Sequence, residues 1–169
     1  VWGVSVFSAC SLASTARTTS LVVPSTMQFS ASRSRSLRCG GIAVSCPFCP
    51  SADLDAHVVF RDDLVLFVQD ERYQGALRHS GVIVPVRHAV TVFDLSESEI
   101  VATFRLLAVV KAWMDERFAP DGYNVGWNCG AIGGQEVFHA HLHVMPRFRH
   151  EPLAGKGIRA LLKSDANSW

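Results

Sequence analysis

Between Phe138 and Val144 the chain alternates without a break: Phe138, Ala140, Leu142 and Val144 are interleaved with His139, His141 and His143. Period two is the strand period, so this stretch reads as a strand with one face in a core and three imidazoles in a row on the other. A strand rises about 3.3 Å per residue, which starts neighbouring imidazoles roughly 6 to 7 Å apart. Just before it lies a glycine-rich turn, Gly130 to Gly134, whose exposed main-chain N–H groups suit an anion-binding nest. Nucleophiles beside an anion nest point to phosphate chemistry. Three readings compete for the row. Core histidines would each need a separate hydrogen-bond partner, a heavy demand for three in register. One zinc held by all three is opposed by distance, since His139 and His143 start roughly 13 Å apart while a Zn–N bond is about 2 Å. Separate roles, with one imidazole as nucleophile, fit best.

The bulk properties narrow the field. One domain is the default at 169 residues, and a charged fraction of 18% is that of a globular chain. A net charge of +1 without basic runs makes no case for nucleic acid, and no uninterrupted apolar stretch is long enough to span a membrane. Residues 1–45 stand apart, with Arg17, Arg33, Arg35 and Arg38 but no Asp or Glu. They read as a disordered leader, either an organelle transit segment or a non-native extension ahead of Met27. The folded domain is expected over residues 46–169, in the cytoplasm unless the leader directs import.

Within that domain, Cys46-Pro47-Phe48-Cys49 is a redox pair, half a metal site, or incidental; the βαβ context of a redox motif is absent. Residues 57–61 and 64–69 read as strands joined at Asp62-Asp63, and 82–88 as a strand stopped by Pro85. Ser96 and Glu99 form a capping box for a helix with an apolar stripe of Ile100, Phe104, Leu107 and Met114, ending before Pro120. Residues 123–128 read as a strand, its Asn124 and Asn128 as polar contacts to substrate or turn, and residues 156–162 as a short basic helix. The pattern is α+β, with a mainly antiparallel sheet of about five strands and one main helix.

The run Gly-Gly-Gln-x-Val-x-His-x-His-x-His-x-x-Pro-Arg, at residues 133–147, resembles the signature of the histidine triad (HIT) superfamily of nucleotide hydrolases and transferases. The likeness extends through Asn124, Gly126, Asn128 and Gly130, through Pro85 to His88, and to Cys46 and Cys49, covering roughly residues 46–150. It implies a homodimer acting on a small nucleotide. His141 would attack the α-phosphate, held in the required tautomer by the main-chain carbonyl of His139. His143 would contact the phosphate or leaving atom, and Gln135 with Gly134 and the glycine turn would hold non-bridging oxygens. Asn128 would reach the sugar or phosphate, and Asp70 the ribose. Cys46, Cys49, His88 and His139 would bind a structural zinc. The resemblance implies hydrolysis of dinucleoside polyphosphates or nucleoside phosphoramidates; a nucleotide-binding regulatory protein with incidental hydrolysis is the alternative. Two departures bear on this. Ser80 stands where relatives place a supporting histidine, with His79 one residue out. Glu136 replaces a phosphate-binding Ser or Thr, and a carboxylate there costs attraction unless it points away or meets a cation.

Overall fold

A computed structural model describes residues 46–160, 162, 163 and 167; the leader at 1–45 lies outside the described residues. Five strands, β1 (Val58–Arg61), β2 (Val65–Val68), β3 (Gly81–Pro85), β4 (Gly122–Gly126) and β5 (Leu142–Arg147), form one sheet in the order β1-β2-β3-β5-β4. Every neighbouring pair is antiparallel. Two four-residue helices, α1 (Ala52–Asp55) and α2 (Glu71–Gln74), precede the long α3 (Glu97–Phe118) in sequence. Asp62 closes the β1–β2 turn by accepting from the Leu64 N–H at 3.0 Å.

β2 is internal to the sheet, with α3 over one face and α1 with Phe48 over the other, and all four of its residues are buried. Val65 and Phe67 join Ile83, Leu142 and Val144 against Leu106, Val110 and Met114 of α3. Leu66 and Val68 face the other way, packing with Val84, Leu54 of α1 and Phe48. As Leu142 and Val144 point at α3, strand alternation puts His143 on the opposite face, which is the face covered by Phe48 and α1.

The start of α3 follows the expected capping box: the Glu99 N–H donates to the Ser96 hydroxyl, and the Ser96 N–H to the Glu99 carboxylate. The face it buries differs from the expected stripe. Glu99, Ala102, Thr103, Leu106, Val110 and Met114 turn inward, whereas Ile100 and Phe104 are 38% and 54% exposed. Apolar residues surround most of this helix, so the sequence alone leaves its rotation open. Phe104 instead meets Trp127 edge-on, with ring centroids 6.1 Å apart. Glu99 has a further use: Arg87 grips both its oxygens, at 2.9 and 2.8 Å, and so fixes the chain next to His88.

The strand expected from Phe138 begins only at Leu142. Ile83 pairs with Leu142, so continued pairing would set Ala140 opposite Pro85, which has no N–H to offer. The ladder stops there. The Ala140 N–H donates instead to the Ala89 carbonyl at 2.7 Å, and Phe138, expected in the core, is 52% exposed. Beyond β5 the expected basic helix is replaced by turns among the described residues. Arg147 anchors them through Glu151 and the carbonyls of Leu153 and Lys156, and also takes the Asn124 side chain, which is thereby structural.

Candidate active site

Because the segment before β5 is not a regular strand, the three imidazoles do not form an evenly spaced row. His139 is fully buried and turned toward Cys46 and Cys49, its Nδ1 lying 3.4 and 3.9 Å from their sulfurs. Its Nε2 is 2.9 Å from the Pro85 carbonyl, which can only accept, so Nε2 carries the proton and Nδ1 the lone pair. Burial pushes the His139 pKa down to about 4, keeping the ring neutral. His88 completes the group, its Nδ1 3.4 Å from the Cys49 sulfur. The four donor atoms lie within 4.8 Å of one another. Two sulfur and two imidazole nitrogen donors, one oriented by a carbonyl on its far side, have the composition of a closed tetrahedral zinc site.

His141 faces the other way. Its Nδ1 donates to the His139 carbonyl at 2.8 Å, which leaves the lone pair on Nε2. The ring is 7% exposed and lines a cleft of about 350 Å³. His143 lies beside it, ring centroids 4.7 Å apart at 78°. Nε2 of His143 is buried with no hydrogen-bond partner among the described residues, and the residue lines the same cleft. Burial, and then the neighbouring His141, hold its pKa below the usual histidine range, so this ring too is neutral near pH 7.

Asp70, Tyr73, Gln74 and Leu77, on and around α2, make one wall, while Asn128, Gly134, Glu136 and Val137 make the other. Asp70, read from the resemblance as a ribose contact, lines the cleft, but its oxygens are already occupied. It caps α2 and accepts from the Arg72 side chain at 2.6 to 3.0 Å, and these bonds lower its pKa. Asn128 donates to the Gly134 carbonyl at 3.2 Å, holding the glycine loop from the side.

Gln135 does not line the cleft. It is 3% exposed; its amide nitrogen donates to the carbonyls of Val90 and Val137, and its oxygen accepts from the Gly130 N–H at 2.8 Å. Nor is the loop the open nest expected: the N–H groups of Gly133, Gly134 and Gln135 donate to carbonyls of Gly130 and Ala131. Positive φ angles of 71° at Gly130 and 84° at Gly134 make the tight turn possible, a conformation that favours glycine.

The structure also decides the Ser80 question. Ser80 lines the cleft, whereas His79, at φ 62°, stacks on Phe118 with centroids 4.0 Å apart. His79 does not line the cleft. Phe48, unassigned from sequence, packs 5.3 Å from the His141 ring and 6.1 Å from that of His139. Its place between Cys46 and Cys49 was the available signal: whatever holds both sulfurs near His139 must put this ring there too.

An antiparallel α+β sheet with three clustered histidines over a cleft, one of them turned into a Cys/His donor group, defines a histidine triad protein. The HIT domain family model matches residues 51–150. The purine nucleoside phosphoramidase of Escherichia coli is 35% identical over 108 residues, 63% of this chain and 89% of that one. A HIT family protein from Bacillus anthracis superposes with a TM-score of 0.60 at 28% identity, covering 76% of this chain and 88% of its own. A zinc-bound histidine triad protein from Mycobacterium smegmatis does so with a TM-score of 0.54 at 25% identity, over 66% and 81%. The chain belongs to the HIT domain family, within the nucleotide hydrolase and transferase superfamily.

Proposed function

We propose that this protein cleaves nucleotides at the α-phosphate, of the dinucleoside polyphosphate or nucleoside phosphoramidate class, through a nucleotidyl intermediate on His141. The observation that carries this is the 2.8 Å bond from His141 Nδ1 to the His139 carbonyl, which presents a lone pair on Nε2 to the cleft. Nε2 attacks phosphorus, and the bond to the leaving oxygen or nitrogen breaks with its electron pair going to that atom, which gains a proton. Water then attacks phosphorus, the P–Nε2 bond breaks, and nucleoside monophosphate leaves with the water oxygen. One water is consumed overall. His143, neutral and with an unpartnered Nε2, hydrogen-bonds the phosphate or leaving atom in this reading. Asn128 and Gly134 line the same wall and serve the nucleotide, while Gln135 acts by holding the loop. Cys46, Cys49, His88 and His139 are the residues that would hold zinc, whose contribution when bound is to tie the Cys-x-x-Cys loop to the sheet. Exposed Ile100, Val101, Phe104 and Val109 on α3 support a homodimer.

A nucleotide-binding regulatory role is the second reading, favoured by His79 turning away onto Phe118 and leaving Ser80 at the cleft. Turnover separates the two. Adenosine phosphoramidates and dinucleoside polyphosphates, ranked by kcat/KM, should include at least one substrate whose turnover is abolished by His141→Asn. Nucleotide binding without any His141-dependent turnover would favour the regulatory role.

A further inference from the structure

Only two carboxylates, Asp70 and Glu136, and no Lys or Arg line the cleft among the described residues. The two are not equivalent. Arg72 holds Asp70 through both oxygens, neutralising that wall. Glu136 is exposed, lines the cleft with His141 and His143, and has no hydrogen-bond or ion-pair partner among the described residues. The imidazole of His143 adds no compensating charge near neutral pH, because burial keeps it neutral.

A carboxylate without a protein cation, on the wall beside the nucleophile, repels anionic substrates and attracts a positive charge. Each phosphate of a polyphosphate chain beyond the one attacked brings further negative charge into a cleft that offers no guanidinium or ammonium to meet it. A nucleoside monophosphate joined to an amine brings one phosphate charge, and a cationic group on that amine can pair with Glu136. We infer that Glu136 is a specificity residue that selects, among nucleotides cleaved at the α-phosphate, those whose leaving group is cationic. This rests on the hydrolase reading above and assigns its substrate class: nucleoside phosphoramidates with an aminoalkyl leaving group, in preference to polyphosphates.

Three adenosine 5′-phosphoramidates with the same alkyl leaving chain, ending in an ammonium, a methyl or a carboxylate, test it on the full chain. Wild-type kcat/KM should fall in that order, with the ammonium substrate ahead of the carboxylate by roughly ten- to hundredfold at low salt. Added salt should compress the ratio, as expected for a partly exposed charge. Glu136→Gln should flatten the series and Glu136→Lys invert it. The readout is a ratio within one variant, so a general loss of folding or activity cancels. Equal kcat/KM for the ammonium and carboxylate substrates, or a preference that survives in Glu136→Gln, overturns the assignment. If none of the three is turned over, Kd values for the intact compounds on His141→Asn decide this inference instead: the same order supports it, and equal affinities reject it. The hydrolase reading itself fails only if the dinucleoside polyphosphates also show no His141-dependent turnover.

Discussion

Nδ1 of His141 donates a 2.8 Å hydrogen bond to the main-chain carbonyl of His139, whose own ring is turned away toward Cys46 and Cys49. One residue therefore serves two sites: its side chain joins the Cys/His cluster that could hold a metal, and its backbone sets the tautomer of the proposed nucleophile. The consequences are separable by mutation.

Replacing His141 with Asn keeps a polar side chain but removes the nucleophilic nitrogen. Turnover should drop by roughly three to six orders of magnitude, the scale for loss of a covalent nucleophile, while the melting temperature stays close to wild type. Wild-type enzyme quenched during turnover should carry an acid-labile, base-stable nucleotide on the peptide containing His141. Inversion of configuration at the α-phosphorus would mean that water attacks directly.

Metal should report on the other side of His139. Elemental analysis is expected to find about one zinc per chain, and chelation should lower the melting temperature, since metal binding energy is folding energy. Cys46→Ser and Cys49→Ser should each reduce zinc content and stability. Metal-free protein with unchanged melting, and with both thiols readily alkylated, would remove zinc from the account.

The pair between Glu99 and Arg87 predicts a specific acid sensitivity. Arg87, by hydrogen bonding, holds the Glu99 pKa at about 2 in the fold, against 4.5 for an unperturbed glutamate. A depressed carboxylate contributes its stability above the unfolded pKa and loses it as pH falls through the folded one. The contribution should thus be complete above about pH 4.5 and fade toward pH 2. Glu99 is buried but Arg87 is half exposed, so Glu99→Gln should cost about 1 to 2 kcal/mol near neutral pH. Chemical denaturation of both proteins across that pH range should show the difference shrinking as acid is added.

Gln135 offers a test of structure against resemblance. Its amide makes three hydrogen bonds to the main chain around the glycine loop, so Gln135→Ala should lower stability by about 1 to 3 kcal/mol. With the loop misplaced, kcat/KM should fall roughly ten- to hundredfold. An unchanged melting temperature with a raised KM would instead put this amide on the phosphate.

Much of the fold was legible locally. The capping box at Ser96 and Glu99, the turn at Asp62-Asp63 and the alternation of β5 each depend on residues close in sequence, whose hydrogen bonds and periodicity are short-range. The family signature placed His139, His141 and His143 in one site and Cys46, Cys49 and His88 near it. Other features depended on what a residue meets across the fold. Periodicity carried the strand back to Phe138, but pairing ended where Pro85 had no N–H for the next rung. The apolar stripe in the sequence runs through Ile100 and Phe104, yet the sheet takes the adjacent face, because a helix apolar on most sides has its rotation chosen by its partner. The sequence by itself determined which chemical groups this protein carries and the order of its elements, since composition and local periodicity are written along one chain. Only the tertiary structure decided that Gln135 turns inward to the Val90 carbonyl and that Glu136 is left without a partner among the described residues, because a polar side chain points toward whichever donor or acceptor distant segments bring within reach.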